Sequence, residues 1–199
     1  MAIYDWPASV KVGPVSYAVE FNVQMTMARS GKVFTYTLPG ARWTCTIQFE
    51  NDLERRFRPT LEAMQVNLEG GAHRLRFGHW GRRVPNGTLR GNPTLGSPVS
   101  PGATAITIIN ANGGLKAGDI IGLPGQFVMV MSDINPTLTN LNNVQVKPAI
   151  RAAHNSGTAI VWNRPTTLWI PDSNIAGPFP YQQAGSRPAF STRFIEAWL

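Results

Sequence analysis

Cysteine is almost absent from this chain, since Cys45 is the single one among 199 residues. One cysteine excludes an internal disulfide and a multi-cysteine metal site, so the fold must close through packing and backbone hydrogen bonds. No window has the roughly 20 apolar residues of a membrane-spanning helix, and the first residues lack the pattern of a signal peptide. We therefore expect a protein made and used in a cytoplasm, or in a particle assembled there.

Charged residues are also few, at 15% of the chain, and they are predominantly basic, with a formal charge of +7 and a pI near 10.2. This charge is compatible with nucleic-acid binding, with an acidic protein neighbour or with a scatter of solvated arginines. The 19 glycines and 16 prolines favour many turns and few long helices. The length allows two modest β domains.

The N-terminal part alternates between apolar and polar residues. Residues 15–27 predict one long, half-buried strand, and residues 32–38 and 43–49 predict two more, separated by glycine-containing turns. The simplest topology is a three-stranded antiparallel meander over residues 15–49.

Helical periodicity replaces this alternation after Glu50. An apolar stripe recurs at helical spacing, and Pro59 predicts a turn over residues 52–57 with the main helix beginning near the proline. Gly70 and Gly71 then end the helix, which should cover one face of the meander. The stripe consists of Leu53, Phe57, Leu61, Met64 and Leu68.

A second β module is predicted around two short apolar runs, residues 120–123 and 127–131. Pro124 and Gly125 separate them and favour a tight turn, so the runs should form a hairpin. Further strands are expected at residues 104–109, 144–150 and 158–170, which together indicate a small barrel or sandwich.

The aromatic C-terminal segment, residues 189–199, is predicted to return to the first sheet, which makes the small module an insertion. The expected fold is therefore mainly β: an N-terminal antiparallel β-sandwich-like domain with one packed α-helix, and a small inserted β-barrel or β-sandwich. The predicted domains are residues 1–88 completed by 186–199, residues 89–172, and a return linker at 173–185.

Side chains capable of catalysis are scattered. His73, His79 and His154 lack metal-ligand spacing, and Cys45 lies in the middle of an apolar strand pattern. No phosphate-binding loop, nucleophile elbow or dinucleotide fingerprint occurs. Asp119 and Asp133 fit turn formation better than acid catalysis. We expect no catalytic residue, no metal and no cofactor.

Arginine is the strongest polar signal. Arginine beside aromatic residues suits phosphate contact and base stacking, but it equally suits a desolvated protein interface or a solvated surface. The arginines are Arg55, Arg56 and Arg58 near the helix, and Arg74, Arg76, Arg82, Arg83 and Arg90 after it, interleaved with Phe77, His79 and Trp80.

The order of these features resembles the tail proteins of long-tailed bacteriophages, and most of all their distal tail proteins. A β meander precedes a helix that ends in Gly70-Gly71 and is followed by Arg76-Phe77. The similarity continues through Asn86-Gly-Thr-Leu-Arg-Gly-Asn-Pro93, Ala103 to Asn110, Leu115-Lys-Ala-Gly-Asp-Ile-Ile121, Gln126-Phe-Val-Met129, Val146-Lys-Pro-Ala-Ile-Arg151 and Gly157-Thr-Ala-Ile-Val161.

The resemblance implies a non-enzymatic building block of the virion tail. Its first domain would form a ring, a hexamer in the family, between the tail tube protein and the hub or fibre protein, with the small domain pointing outward. Neither a membrane nor specific nucleic-acid binding is implied. A ring would also cover the edge strands of the meander.

Residues 15–27 and 74–83 are candidates for subunit contacts, because the first range predicts an exposed strand edge and the second is rich in arginine. The candidate interface residues are Arg74, Arg76, Trp80, Arg82 and Arg83. Two rival functions remain. One is a β-barrel nucleic-acid-binding module that uses the arginine-rich loop, and the other is a wall-degrading enzyme that uses Asp119 or Glu62.

Overall fold

The structure, a computed structural model, describes residues 1–49, 57–136, 139–173, 176–177 and 190–198. Within these residues the chain is mainly β with one α-helix, as predicted. In chain order the elements are β1 (Ile3–Asp5), β2 (Val15–Glu20), β3 (Val23–Met27), β4 (Val33–Thr37), β5 (Arg42–Phe49), α1 (Arg58–Asn67), a 3₁₀ turn (Glu69–Gly71), β6 (Arg74–Gly78), β7 (Thr94–Leu95), β8 (Ala105–Ile109), β9 (Ile120–Leu123), β10 (Gln126–Val130), β11 (Leu141–Lys147), β12 (Thr166–Pro171) and β13 (Phe190–Glu196).

The chain divides into two compact units. The first unit comprises Met1–Ala18, Trp43–Gly81 and Thr166–Leu199, and the second comprises Val19–Arg42 and Arg82–Pro165. The passage into the second unit at residue 82 precedes the predicted boundary at residue 88. Most of the predicted return linker at 173–185 lies outside the described residues.

A six-stranded sheet forms the framework of the first unit, in the order β1-β6-β12-β13-β5-β2. The C-terminal strand β13 pairs antiparallel with β5 on one side and with β12 on the other. The outermost strand β1 runs parallel to β6, which is a departure from the predicted antiparallel arrangement.

The assignment of residues 158–170 to a strand of the small module is wrong for its second half. Strand β12 pairs with β6 and β13 and therefore belongs to the six-stranded sheet. Leu168 and Trp169 are buried there. A run of apolar residues indicates that a strand will be covered, but it does not specify which sheet the strand will join.

Helix α1 begins at Arg58, one residue before Pro59, as predicted. Leu61, Met64 and Leu68 of the expected stripe are buried, whereas Leu53 and the predicted turn over 52–57 fall almost entirely outside the described residues. The amide of Gln65 donates a hydrogen bond of 2.8 Å to the Thr192 hydroxyl, which places the helix against β13. Positive φ angles at Gly70 and Gly71 turn the chain after the helix.

The core of the first unit is unusually aromatic. Trp169 stacks on Phe77 with a centroid separation of 4.7 Å, and its indole N–H donates to the Phe77 carbonyl at 3.1 Å. Phe194 meets the same Phe77 ring edge-on. Aromatic pairs of this kind add to the free energy gained by burying the rings themselves. The other buried apolar residues of this core include Trp43, Cys45, Ile47, Phe49, Leu61, Leu68 and Leu75.

The second unit contains a five-stranded sheet in the order β7-β8-β11-β10-β9. The predicted hairpin is confirmed, since β9 and β10 pair antiparallel across Pro124 and Gly125. Bridges from Ala159 to Thr94 on β7 and from Val161 to Gly122 on β9 give both outer strands a further partner. The core inside this curved sheet contains Leu89, Leu95, Ile108, Leu115, Ile121, Val128, Val130, Leu141, Val144 and Val146.

The predicted meander over residues 15–49 is wrong in its topology. The expected first strand is two strands: β2 lies next to β5 at the edge of the six-stranded sheet, whereas β3 pairs with β4 in a separate two-stranded sheet. Alternation shows that a strand has two different faces, but not that either face is covered. The result is an isolated ribbon, residues 21–38, which we call the apolar hairpin.

Candidate functional site

The apolar hairpin has a regular antiparallel register. Val23 pairs with Thr37, Met25 with Thr35 and Met27 with Val33, so one face carries two methionines between valines and threonines. The opposite face carries the pairs Gln24 with Tyr36 and Thr26 with Phe34. Asn22 accepts a hydrogen bond from the Leu38 amide at 2.8 Å, which extends the ribbon by one rung.

Both faces of the hairpin are open. Met25 is 74% exposed and Met27 is 70% exposed, although contact between these apolar side chains and water is energetically unfavourable. The exposed apolar surface comes to on the order of 800 Å², taking about 200 Å² for each complete large side chain. This area is divided between the two opposite faces of the ribbon, and exposed apolar surface of this extent on a folded chain marks a site of interaction. The exposed residues are Phe21, Val23, Met25, Met27, Val33, Phe34, Tyr36 and Leu38.

The charge of the hairpin is entirely positive. Arg29 and Lys32 flank the turn at its end, residues 21–38 contain no aspartate or glutamate, and the Lys32 ammonium lies 5.3 Å from the centre of the Phe34 ring. An apolar ribbon with a basic end suits a binding partner whose surface offers an unpaired strand edge, apolar side chains and an acidic group.

Sequence reasoning identified only part of this surface. Residues 15–27 were candidates for subunit contacts, and β3 is the exposed part of that range, whereas β2 is largely half-buried. The apolar residues of β4 were assigned to a covered sheet. The available signal was that Val33, Phe34 and Tyr36 put apolar side chains on both faces of one strand.

Three of the five candidate interface residues lie in the first unit. Arg74 donates to the carbonyls of Gly71 and His73, and Arg76 makes a two-pronged pair with Asp5 at 2.7 and 2.9 Å. The hydrogen bond from Arg76 lowers the pKa of Asp5. Trp80 stacks on Phe77 at 4.7 Å and is half-buried. These side chains therefore contribute to the folded unit itself.

The other two candidates, Arg82 and Arg83, lie in the second unit, at the beginning of its Arg82–Pro165 segment, and are exposed. Arg82 donates to the Gly118 carbonyl at 2.6 Å. Among the remaining arginines, Arg58 is buried beside Glu62, and Arg90 lies 5.0 Å from the centre of the Trp162 ring. Arg55 and Arg56 lie outside the described residues.

Asp119 is buried, with 2% of its surface exposed, and it joins two loops of the second unit. Its Oδ1 accepts from the Asn86 amide at 2.7 Å, and its Oδ2 accepts from the amides of Gly87 at 3.1 Å and Lys116 at 2.7 Å. The hydrogen bond from the Lys116 amide, three residues before Asp119, is the turn-forming contact that the sequence predicted. The contacts with residues 86–87 link the beginning of the Arg82–Pro165 segment to the β9–β10 hairpin.

The histidines lie in separate surroundings. His73 accepts from the Ala2 amide at 3.3 Å, His79 stacks on Tyr17, and His154 bridges to Val99 in the second unit. Burial lowers the pKa of His154. In the described part of the chain, no three His, Cys, Asp or Glu side chains converge as a metal site would require.

Cys45 should be inert in the folded protein. Burial raises the pKa of its thiol to about 12, so almost none of the reactive thiolate is present near neutral pH. At pH 8 we expect a thiol reagent to modify the native protein on the order of a thousandfold more slowly than the urea-unfolded chain. Stopped-flow absorbance with a coloured disulfide reagent measures both rates, and equal rates would contradict the buried placement.

No protein-family model matches the chain, and no curated protein matches it. Among the described residues there is no helix with the length and apolar character needed to cross a membrane.

Proposed function

We propose that this protein is a structural component of a bacteriophage tail tip, a distal tail protein whose copies form a ring that joins the tail tube to the hub or fibre. The single observation that carries the proposal is the apolar hairpin, whose two faces are open in the isolated chain. The residues that resemble distal tail proteins, from Gly70-Gly71 to Val161, supply the particular identity.

An assembly role explains the hairpin better than an independent existence would. A two-stranded ribbon is marginally stable in water, and its exposed edges and apolar side chains promote association with other chains. Its apolar surface of on the order of 800 Å² equals the area that one partner contributes to a standard protein interface. The proposed partners are other copies of this chain, the tail tube protein and the hub or fibre protein.

The proposed role requires no chemistry from the protein, and it assigns no catalytic residue, cofactor or metal. The alternative of a nucleic-acid-binding module has less support. Arg74, Arg76 and Arg82 each donate to oxygen atoms of this chain, which leaves their guanidinium groups less available for phosphate.

Self-assembly of the purified protein should depend on the two exposed methionines. Replacing Met25 and Met27 together by glutamine removes about 3 kcal/mol of apolar burial from a contact, so we expect the dissociation constant to rise roughly a hundredfold. Sedimentation velocity and native mass spectrometry should show ring-sized particles for the wild type and smaller species for the double variant.

The matched control is Met131→Gln, because Met131 is also exposed, at 48%, but lies outside the hairpin. It should assemble like the wild type. A monomeric wild type at high protein concentration would contradict the proposed ring, and so would tight DNA binding that weakens steeply with salt and requires the arginine loop.

A further inference from the structure

We infer that the apolar hairpin of one copy docks on the outer edge of β1 and on the adjoining groove beside α1 in the next copy. This inference rests on the proposed self-assembly and specifies the two surfaces that meet. The surfaces differ, so the contact is heterologous, the type of contact that generates rings when its rotation closes.

Strand β1 offers a backbone edge. It pairs with β6 on one side, and the described residues place no strand on its other side. The amide of Arg74 donates to the Ala2 carbonyl and the amide of Trp6 donates to the Arg76 carbonyl. Ala2 and Trp6 therefore direct backbone groups toward β6. In a parallel ladder the residues between such positions face the other way, so the N–H and C=O groups of Ile3 and Asp5 point outward, where a further strand can pair with them.

A groove adjoins this edge within the first unit. It has a volume of about 510 Å³ and runs between β1 and α1. Its lining is mostly apolar, and this suits the methionine and aromatic side chains that flank the edges of the hairpin ribbon. The principal lining residues are Tyr4, Asp5 and Pro7 on the strand side, and Pro59, Ala63 and Met64 on the helix side.

Charge also favours this pairing of surfaces. The hairpin carries Arg29 and Lys32, whereas the described residues that line the groove include the acidic Asp5 and none that is basic. Asp5 is exposed, although it also pairs with Arg76.

The outer strands of the second unit are less suitable acceptors. Both β7 and β9 already bridge to the segment at residues 159–161. At the other end of the six-stranded sheet, β2 leads into the hairpin itself after only two residues. Among the described strands, β1 therefore combines a free edge, an apolar groove and an acidic group.

Mixing two defective variants tests this arrangement. The first variant, Met25→Gln with Met27→Gln, keeps the edge and loses the hairpin contact. The second variant, Ile3→Pro, keeps the hairpin and removes an outward N–H without breaking the ladder to β6. Each variant alone should be at least roughly tenfold weaker in self-association than the wild type. An equimolar mixture should form a one-to-one heterodimer that grows no further.

One matched control and one substitute variant accompany this experiment. Ile3→Ala retains the backbone N–H and should assemble like the wild type. Ala63→Arg, on the exposed side of α1, blocks the groove without changing the edge and should replace Ile3→Pro in the mixing test if the proline variant does not fold. Circular dichroism melting verifies that each variant is folded.

The outcomes separate this inference from the proposed function. Native mass spectrometry that shows wild-type assembly by folded Ile3→Pro and Ala63→Arg would overturn the inference and leave the ring intact. Two monomeric variants that fail to combine would also overturn it, because the mixture contains one intact hairpin and one intact β1 edge, which the inference requires to bind each other. A wild type that remains monomeric would overturn both proposals.

Discussion

Removing residues 190–199 should unfold the whole first unit rather than shorten it. Strand β13 is an interior strand, paired with β5 from Phe190 to Ile195 and with β12 from Phe194 to Glu196. Its deletion removes one of the two hydrogen-bonded neighbours of β5 and of β12, splits the six-stranded sheet and exposes the aromatic core around Phe194. These losses together exceed the 5–15 kcal/mol that a typical domain has available.

Circular dichroism melting and solubility measure this outcome. The shorter deletion of residues 198–199 is the control, because Trp198 is exposed while the Ala197 amide still donates to the Leu168 carbonyl at 2.7 Å. The control should melt cooperatively near the wild-type temperature. A soluble, cooperatively melting protein without residues 190–199 would show that β13 is not required.

Asp119→Ala should lower the free energy of unfolding of the second unit by about 3–5 kcal/mol, because it leaves three buried or half-buried backbone N–H groups without their acceptor. Asp119→Asn retains one carbonyl oxygen and should recover part of the loss. Denaturant unfolding monitored by circular dichroism gives the free energy, and amide hydrogen exchange at Gly87 and Lys116 locates the effect in the second unit.

Asp133→Ala is the matched control for the buried carboxylate. Asp133 accepts from the Lys116 ammonium at 2.8 Å and from the Ala117 amide at 2.9 Å, but its side chain is more than half exposed. Its removal should leave the melting temperature close to that of the wild type, because water replaces an exposed partner. An unchanged melting temperature for Asp119→Ala would contradict the structural role.

The same variants separate a structural protein from the rival enzyme. A catalytic Asp119 or Glu62 predicts loss of turnover at unchanged stability. The contacts of both residues predict that their replacement lowers stability, since Asp119 accepts hydrogen bonds from backbone amides and Glu62 accepts from the buried Arg58 at 3.0 Å. Wall-degrading activity that disappears in folded Asp119→Asn protein of wild-type stability would therefore favour the enzyme.

Prediction from sequence succeeded where the physical cause was local. Pro124 and Gly125 specify a tight reversal within four residues, so the β9–β10 hairpin was predictable. Pro59 likewise marked the beginning of α1. The same approach failed for β12, because the apolar run that ends at Ile170 can be covered equally well by either unit.

The candidate site shows the same division between local and distant causes. The residue types of the hairpin were visible as alternation over residues 15–27 and 32–38, but alternation implied a covered face that the structure does not provide. The arginines were visible by composition, yet the Asp5 partner of Arg76 and the Gly118 partner of Arg82 lie far away in the sequence.

The amino-acid sequence by itself determined the mainly β class, the position of helix α1, the absence of a disulfide and the turns around Gly70 and Pro124. These properties depend on the dihedral preferences and side-chain periodicity of neighbouring residues. Only the tertiary structure decided that β13 lies between β5 and β12, that Asp119 holds residues 86–87, and that the apolar hairpin is left open. Those outcomes depend on strand pairing between residues far apart in the chain, where many alternatives satisfy the same local pattern.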